Sequence, residues 1–322
     1  MSAAVQGRNR KLFLLKCLVS ALLMGWFLSR VDLLKVFNTV FRMPAMILVI
    51  ALTLYLVTIA LSALRWHLLL PHRGYGDLIP LTLVAQYYAL ISPGQIAGEV
   101  VKAYRLGKGS QDAEQIVASV IIDRLAGVWG ILLLAVIGLG FGTRSPAGWG
   151  RITLGAGLAV LAASTFLLRF MAGDRFVRGT LSFLAGKGNR MERLTERCVR
   201  LLDAWKGYMR SPRTLMKVLF VGTIYQGIGV LIMEILARGV GIGLPFSDWC
   251  WLFGLISLVV FIPVTVGGIG LREGGLILLL GDLGLPDEKA LALALSILAL
   301  QLFGALLGAI VDLFSGISGS ST

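Results

Sequence analysis

The chain has 322 residues, 57% of them hydrophobic, and a formal net charge of +13. Soluble domains run at about 45–50% apolar residues, so this composition points to a membrane protein. Apolar runs long enough to cross a bilayer recur, the alternating ten-residue segments of a β-barrel do not, and a polytopic all-α protein follows. The bases cluster between the apolar runs, where cytoplasmic loops collect them, so the charge reports topology and anionic headgroups rather than nucleic acid.

In chain order, the first span is expected over Leu12–Leu28, behind a basic N-terminus read as uncleaved. The second covers Ala45–Leu64, with Arg65 and Trp66 at its exit as interfacial anchors. Residues 78–91 are apolar but short, and Pro93-Gly94 stops them. Residues 95–106 form a second short helix carrying Glu99, Lys102 and Arg105. The third span runs Ile116–Leu139 with Asp123 and Arg124 inside it, and the fourth Ile152–Leu168.

The segment 171–217 is strongly basic and is placed in the cytoplasm. Within it Leu194, Cys198, Leu201, Leu202 and Trp205 recur at helical spacing, which predicts an amphipathic helix on the membrane surface. The fifth span is Val218–Ala237, at whose outer end Glu234 and Arg238, four apart, should pair. Residues 249–262 are a short apolar helix ended by Pro263, residues 271–281 a second short piece, and Ala290–Leu313 the last span.

Orienting these by charge gives six full spans with both termini cytoplasmic. Residues 78–106 then enter and leave from the inside, and residues 249–281 from the outside. A competing reading makes the short segments full spans, with eight or more crossings. In the preferred arrangement residues 1–142 and 143–322 are two halves of one integral domain, related as an inverted repeat. Each half carries a broken, re-entrant hairpin at the matching position, the sequence pattern of a transporter with a midplane site. Irregular backbone at that depth must be buried in protein or face water, so both breaks are expected to border one interior cavity.

Both breaks carry candidate binding residues. In the second, Gly267, Gly268 and Gly270 follow Pro263 and free the backbone to turn, and Arg272 and Glu273 open the next helix. A helix N-terminus attracts anions, and arginine adds a forked donor suited to phosphate. A structural ion pair is the alternative. Neighbours along a helix do not face each other, so Arg272 and Glu273 are expected to find partners elsewhere. The first break supplies Pro93, Gly94, Gln95, Gly98 and Glu99, with Lys102 in reach of Glu99 and Glu99 placed to neutralise Arg272 or Arg124 across the cavity. Asp123 and Arg124, costly in hydrocarbon, must face the bundle interior or the cytoplasmic water edge. Gln226 and Gln301 are further polar candidates for the cavity wall.

Cys17, Cys198 and Cys250 are scattered, and His67 and His72 are the two histidines. No disulfide framework, metal site, nucleotide-binding loop or catalytic triad emerges, so the chain is expected to be a non-enzyme without cofactor.

At "RWHLLL", "SPGQIAGEVVKAYRL", "DRLAG" and "IPVTVGGIGLREGG" the chain resembles the lysylphosphatidylglycerol synthase transmembrane region, or flippase-like domain family. The resemblance spans nearly the whole chain. It implies a lipid flippase or related lipid transporter of the bacterial inner membrane, acting on a lipid with an anionic or zwitterionic headgroup. That lipid would be a phospholipid, an aminoacylated lipid or a polyprenyl-phosphate glycolipid. A lipid synthase or glycosyltransferase is the implied protein partner, which leaves scaffold and intramembrane group-transfer enzyme as the other readings. Pro93, Gly98, Glu99, Asp123, Arg124, Pro263, Gly267, Gly268, Gly270, Arg272 and Glu273 match the family's characteristic positions. The sequence reaches Thr322 without a soluble aminoacyl-transfer domain, so synthesis of the aminoacylated lipid is not expected.

Overall fold

The computed structural model describes residues 31–92, 96–142, 189–261 and 265–318, with scattered positions between 18 and 29 and between 155 and 162. Most of the expected first and fourth spans, much of the basic segment, and Pro93, Gly94, Gln95 and Pro263 lie outside the described residues. Among the described residues the chain is helical, with no β-strand.

Helix α1, Leu33–Phe41, begins where the Asp32 carboxylate accepts from the Leu34 and Lys35 backbone N–H groups, at 3.0 and 3.3 Å. It was not among the expected elements. Helix α2, Ala45–Leu69, starts directly after Pro44 and runs a full turn beyond its expected end. Helices α3, Tyr75–Ile91, and α4, Ile96–Gly107, flank the first break, and α5 covers Ala113–Phe141. Helix α6, Asn189–Met209, leads to α7, Pro212–Gly239, which has proline in its first turn. Helices α8, Phe246–Phe261, and α9, Leu271–Asp282, flank the second break, and α10 is Asp287–Ser318.

Among the described residues α2, α5, α7 and α10 are long and apolar enough to cross a membrane. Their outward faces expose Val49 and Leu56, Leu133 and Val136, Phe220, and Leu302 and Leu306, as a lipid-facing surface requires. By contrast α4 and α9, at 12 residues each, are about 18 Å long and fall well short of a roughly 30 Å hydrocarbon core.

Each break is a helical hairpin. Gly98 of α4 lies against the Ala85 carbonyl and the Ala89 side chain of α3, so the chain has doubled back. Beyond the second break, a Cβ at Gly275 of α9 would touch Ile256 of α8 at 3.9 Å. Gly267, Gly268 and Gly270 make the second turn with φ of +60°, +78° and +91°, a region in which only glycine is free of strain. The two tips meet: a Cβ at Gly267 would stand 3.0 Å from the Leu90 carbonyl oxygen at the end of α3. The Val266 N–H also donates to Ser20 Oγ at 3.1 Å, tying the second tip to the first apolar segment.

The packing is reciprocal. Helix α3 lies along α10, α8 lies along α5, and α2 lies along α7. Small residues allow the close approaches, as is usual between membrane helices. A Cβ at Gly138 of α5 would come within 2.6 Å of the Ser247 carbonyl oxygen, and one at Gly308 of α10 would overlap the Leu83 carbonyl oxygen. Gly308→Ala should therefore destabilise the protein by about 1–3 kcal/mol, although alanine is the better helix former by about 1 kcal/mol. Gly140→Ala, with open space around the added methyl, should be neutral or stabilising. Thermal unfolding in detergent compares the two, and equal midpoints would refute the close-packing account.

Helix α6 is amphipathic as expected, but its apolar stripe does not lie bare on a membrane. Trp205 and Tyr208 are buried against Leu69, Ala118, Ile122 and Val218, with Leu201 packed beside them, and the Tyr208 hydroxyl donates to the Leu69 carbonyl at 2.8 Å. Protein surface covers the stripe because an apolar wall from α2, α5 and α7 faces it. Cys198 is exposed, and Arg200 reaches Glu114 at 3.1 Å. Glu234 and Arg238 pair at 2.5 Å.

Candidate functional site

Between the hairpin tips and the long helices lies a cavity of about 370 Å³. Its wall takes Tyr55, Thr58, Ser62 and Arg65 from α2, and Thr82, Gln86 and Leu90 from α3. Helix α4 contributes Gly98, Glu99 and Lys102, α5 contributes Arg124 and Gly127, and α7 contributes Tyr225 and Gln226. The second half of the chain adds Ser257, Gly267, Arg272 and Gln301. The two breaks thus border one interior space, as the sequence predicts.

Charge on the wall is dominated by cations: Arg65, Lys102, Arg124 and Arg272 face a single lining carboxylate among the described residues, Glu99. Each cation is held by a carboxylate on or just behind the wall. Arg65 bonds Asp123 through two nitrogens, Nε to Oδ1 at 2.5 Å and Nη2 to Oδ2 at 3.0 Å. Lys102 Nζ lies 2.9 Å from Glu99, 3.8 Å from Asp123 and 4.2 Å above the Trp66 ring. Arg124 Nη2 is 3.4 Å from the other oxygen of Glu99. Arg272 Nη2 bonds Glu273 at 2.6 Å, and its Nη1 bonds Gln301 Oε1 at 2.5 Å.

Burial decides what these pairs mean. The side chains of Arg65 and Arg272 are each 7% exposed, and those of Lys102, Asp123 and Glu273 at most 1%. Charges so deep are retained only where paired. The pairing still leaves donors over: Arg65 Nη1 and Arg272 Nε are buried with no hydrogen-bond partner among the described residues. Both residues line the cavity.

The expected site residues sort as follows. Glu99, Arg124, Arg272, Gly98 and Gly267 line the cavity. Asp123 and Glu273 stand behind the wall and position the arginines. Gly268 and Gly270 shape the turn and do not line the space. Gln226 and Gln301 both face the cavity, and Gln226 Nε2 donates to the Gly127 carbonyl at 3.1 Å.

Two expectations are corrected. Arg272 and Glu273, adjacent in sequence, do pair. They sit in the first turn of α9, where Glu273 folds back to accept from the Gly270 N–H at 2.6 Å and so comes beside Arg272. That same bond occupies part of the helix N-terminus. Glu99 pairs with Lys102 as expected and, of its two expected partners across the cavity, with Arg124. Arg65 and Trp66 are not interfacial anchors. Helix α2 continues past them, Arg65 turns inward to Asp123, and the Trp66 Nε1–H donates to Ser119 Oγ at 3.0 Å from a fully buried ring.

Arg65 as a wall residue is what sequence reasoning missed. The signal was the apolar run Leu68–Leu70 after it, which carries the helix on and buries the charge.

A comparison with curated proteins finds no match. A family model, described as the lysylphosphatidylglycerol synthase TM region, matches residues 13–308, which includes every wall residue named above. With helices long and apolar enough for repeated membrane crossing, and with that match over nearly its whole length, the chain is a multi-pass membrane protein that belongs to the lysylphosphatidylglycerol synthase transmembrane-region family.

Proposed function

We propose that the protein moves a phosphate-bearing lipid between membrane leaflets, the headgroup passing through the cavity while the acyl chains stay in lipid. The observation that carries this reading is the cationic cavity itself. Three buried cations, Arg65, Lys102 and Arg272, and the half-buried Arg124 line a cavity in an apolar bundle, an environment that replaces headgroup hydration at membrane depth. A purely structural ion-pair core would be expected to satisfy its donors internally.

The two hairpins, in our reading, are re-entrant from opposite faces, and the halves 1–142 and 143–322 form an inverted repeat with cytoplasmic termini. Support comes from the shortness of α4 and α9, from the meeting of the tips, and from the reciprocal packing of α3 on α10 and α8 on α5. Substituted cysteines test it, in a background with Cys17, Cys198 and Cys250 replaced. His72 and Lys108 flank the first hairpin, Gly243 and Pro286 the second, and all four positions are exposed. Cysteines at 72 and 108 should react with an impermeant thiol reagent from one face, and those at 243 and 286 from the other. Reaction of all four from one face would defeat the inverted arrangement.

The function itself is tested in liposomes holding the purified protein. Phosphatidylglycerol, an aminoacylated phosphatidylglycerol and a polyprenyl phosphate are offered in turn. Protein-dependent movement of at least one supports the reading. Movement of none, by protein shown to be folded, overturns it and favours a scaffold or a group-transfer enzyme.

A further inference from the structure

We propose that α1 is an interfacial helix. It lies in the plane of the leaflet from which α2 starts, with Leu34, Phe37 and Phe41 among the acyl chains and its polar side at headgroup level. The proposal is independent of the translocation reading above and adds a lipid contact outside the cavity.

Sequence sets the shape. At about 100° per residue, Val36, Val40, Leu33, Phe37, Phe41 and Leu34 follow one another around an apolar arc of roughly 160°. Asn38, Lys35, Thr39 and the capping residue Arg42 fill an arc of about 100° on the opposite side. Nine residues rise about 14 Å, too short to cross a bilayer.

Protein covers only half of the apolar arc. Val36 is buried, and Val40 packs beside it, in the core that α1 shares with α7 and α10. The other half is bare: Leu34 is 72% exposed, Phe37 55% and Phe41 83%. Phe37 and Phe41 stack on each other, with ring centres 6.4 Å apart. A contiguous patch of large apolar side chains marks a surface that is covered by something other than water.

The position of the helix says what covers it. Lys35 reaches Glu288, in the first turn of α10, at 3.8 Å, and a Cβ at Gly239, the last residue of α7, would meet Met43 at 2.9 Å. Pro44 then leads into α2, whose first turns leave Met46 and Val49 exposed. Helix α1 thus stands at the ends of three spanning helices, and its bare side leads straight into the lipid-facing start of α2. That continuity makes lipid the occupant. A helix of this pattern settles about 5–10 Å into the boundary between headgroups and acyl chains. At that depth the exposed Lys35 and Arg42 stand level with the lipid phosphates.

Spin labels test it, on the full-length protein with its three native cysteines replaced, in liposomes of phosphatidylcholine and phosphatidylglycerol. Single cysteines are placed by Leu34→Cys, Lys35→Cys, Phe37→Cys, Asn38→Cys and Phe41→Cys, all at exposed positions where a label meets no core. Collision with oxygen, which concentrates in lipid, is compared with collision with a water-soluble nickel complex. The ratio should be at least about fivefold higher at 34, 37 and 41 than at 35 and 38, as a helix half-sunk in the interface requires. Fluorophores on the same cysteines give an independent reading: lipids brominated high on the acyl chain should quench those at 37 and 41 and spare that at 35. Equal access of the nickel complex to all five positions would overturn the proposal and place α1 in water. Protection of 34, 37 and 41 from both oxygen and nickel would also overturn it, in favour of a second copy of the chain on this face.

Discussion

Arg272→Ala should cut lipid movement by about 10–100-fold while the protein still inserts and melts cooperatively. The magnitude follows from losing a hydrogen bond to a charged group in a poorly solvated site, about 1.5–3 kcal/mol. The midpoint should fall, since buried Glu273 loses its cation, but Glu273 keeps its bond to the Gly270 N–H, so the turn into α9 retains its cap. Arg272→Lys is the informative companion. It keeps the charge but lacks the forked guanidinium that bonds Glu273 and Gln301 at once and has a further N–H to offer. Its rate should lie between those of wild type and Arg272→Ala. Full activity in a well-folded Arg272→Ala protein would remove Arg272 from the transport step and leave it a purely structural partner of Glu273.

That Arg272 was picked out from sequence, while Arg65 was not, has a physical reason. Arg272 stands among Gly267, Gly268 and Gly270, in a stretch whose punctuation marks a break inside apolar sequence. Such a break has few tolerable environments, so its charge points inward almost by necessity. Arg65 stands near the end of an apolar run, where an outward, interfacial arginine is equally well satisfied. What decides its direction is Asp123, 58 residues away, and a single sequence gives no register between two helices.

The long helices were legible for the same reason that their partners were not. Length and hydropathy are local, and α5, α7 and α10 begin and end within a few residues of expectation, apart from the extra turns at their polar ends. Helix α1 was hidden because nine residues between a break and Pro44 look like a loop until they pack on α10. The stripe on α6 was visible, but its surroundings were not: Trp205 reads equally well as a membrane-facing or a protein-facing residue until the wall formed by α2, α5 and α7 is known.

Asp123→Ala should be the most destabilising of the substitutions at this site. It strips the anion from Arg65 and leaves Lys102, 1% exposed, with Glu99 alone. Breaking a buried pair from one side costs about 3–5 kcal/mol, because the remaining charge stays buried and uncompensated. Asp123→Asn should fall between Asp123→Ala and wild type, since the amide oxygen still accepts one bond from Arg65. A double replacement separates stability from function. With Arg65→Met and Asp123→Leu together, both charges go and apolar volume fills their place, which in other buried pairs is neutral or stabilising. The double variant should therefore melt within about 1 kcal/mol of wild type and well above Asp123→Ala. Its lipid movement should nonetheless be lost, because the cavity wall loses the Arg65 guanidinium. A stable double variant with wild-type transport would show that the Arg65–Asp123 pair only holds α2 to α5, and that the headgroup is bound from the Arg272 side alone.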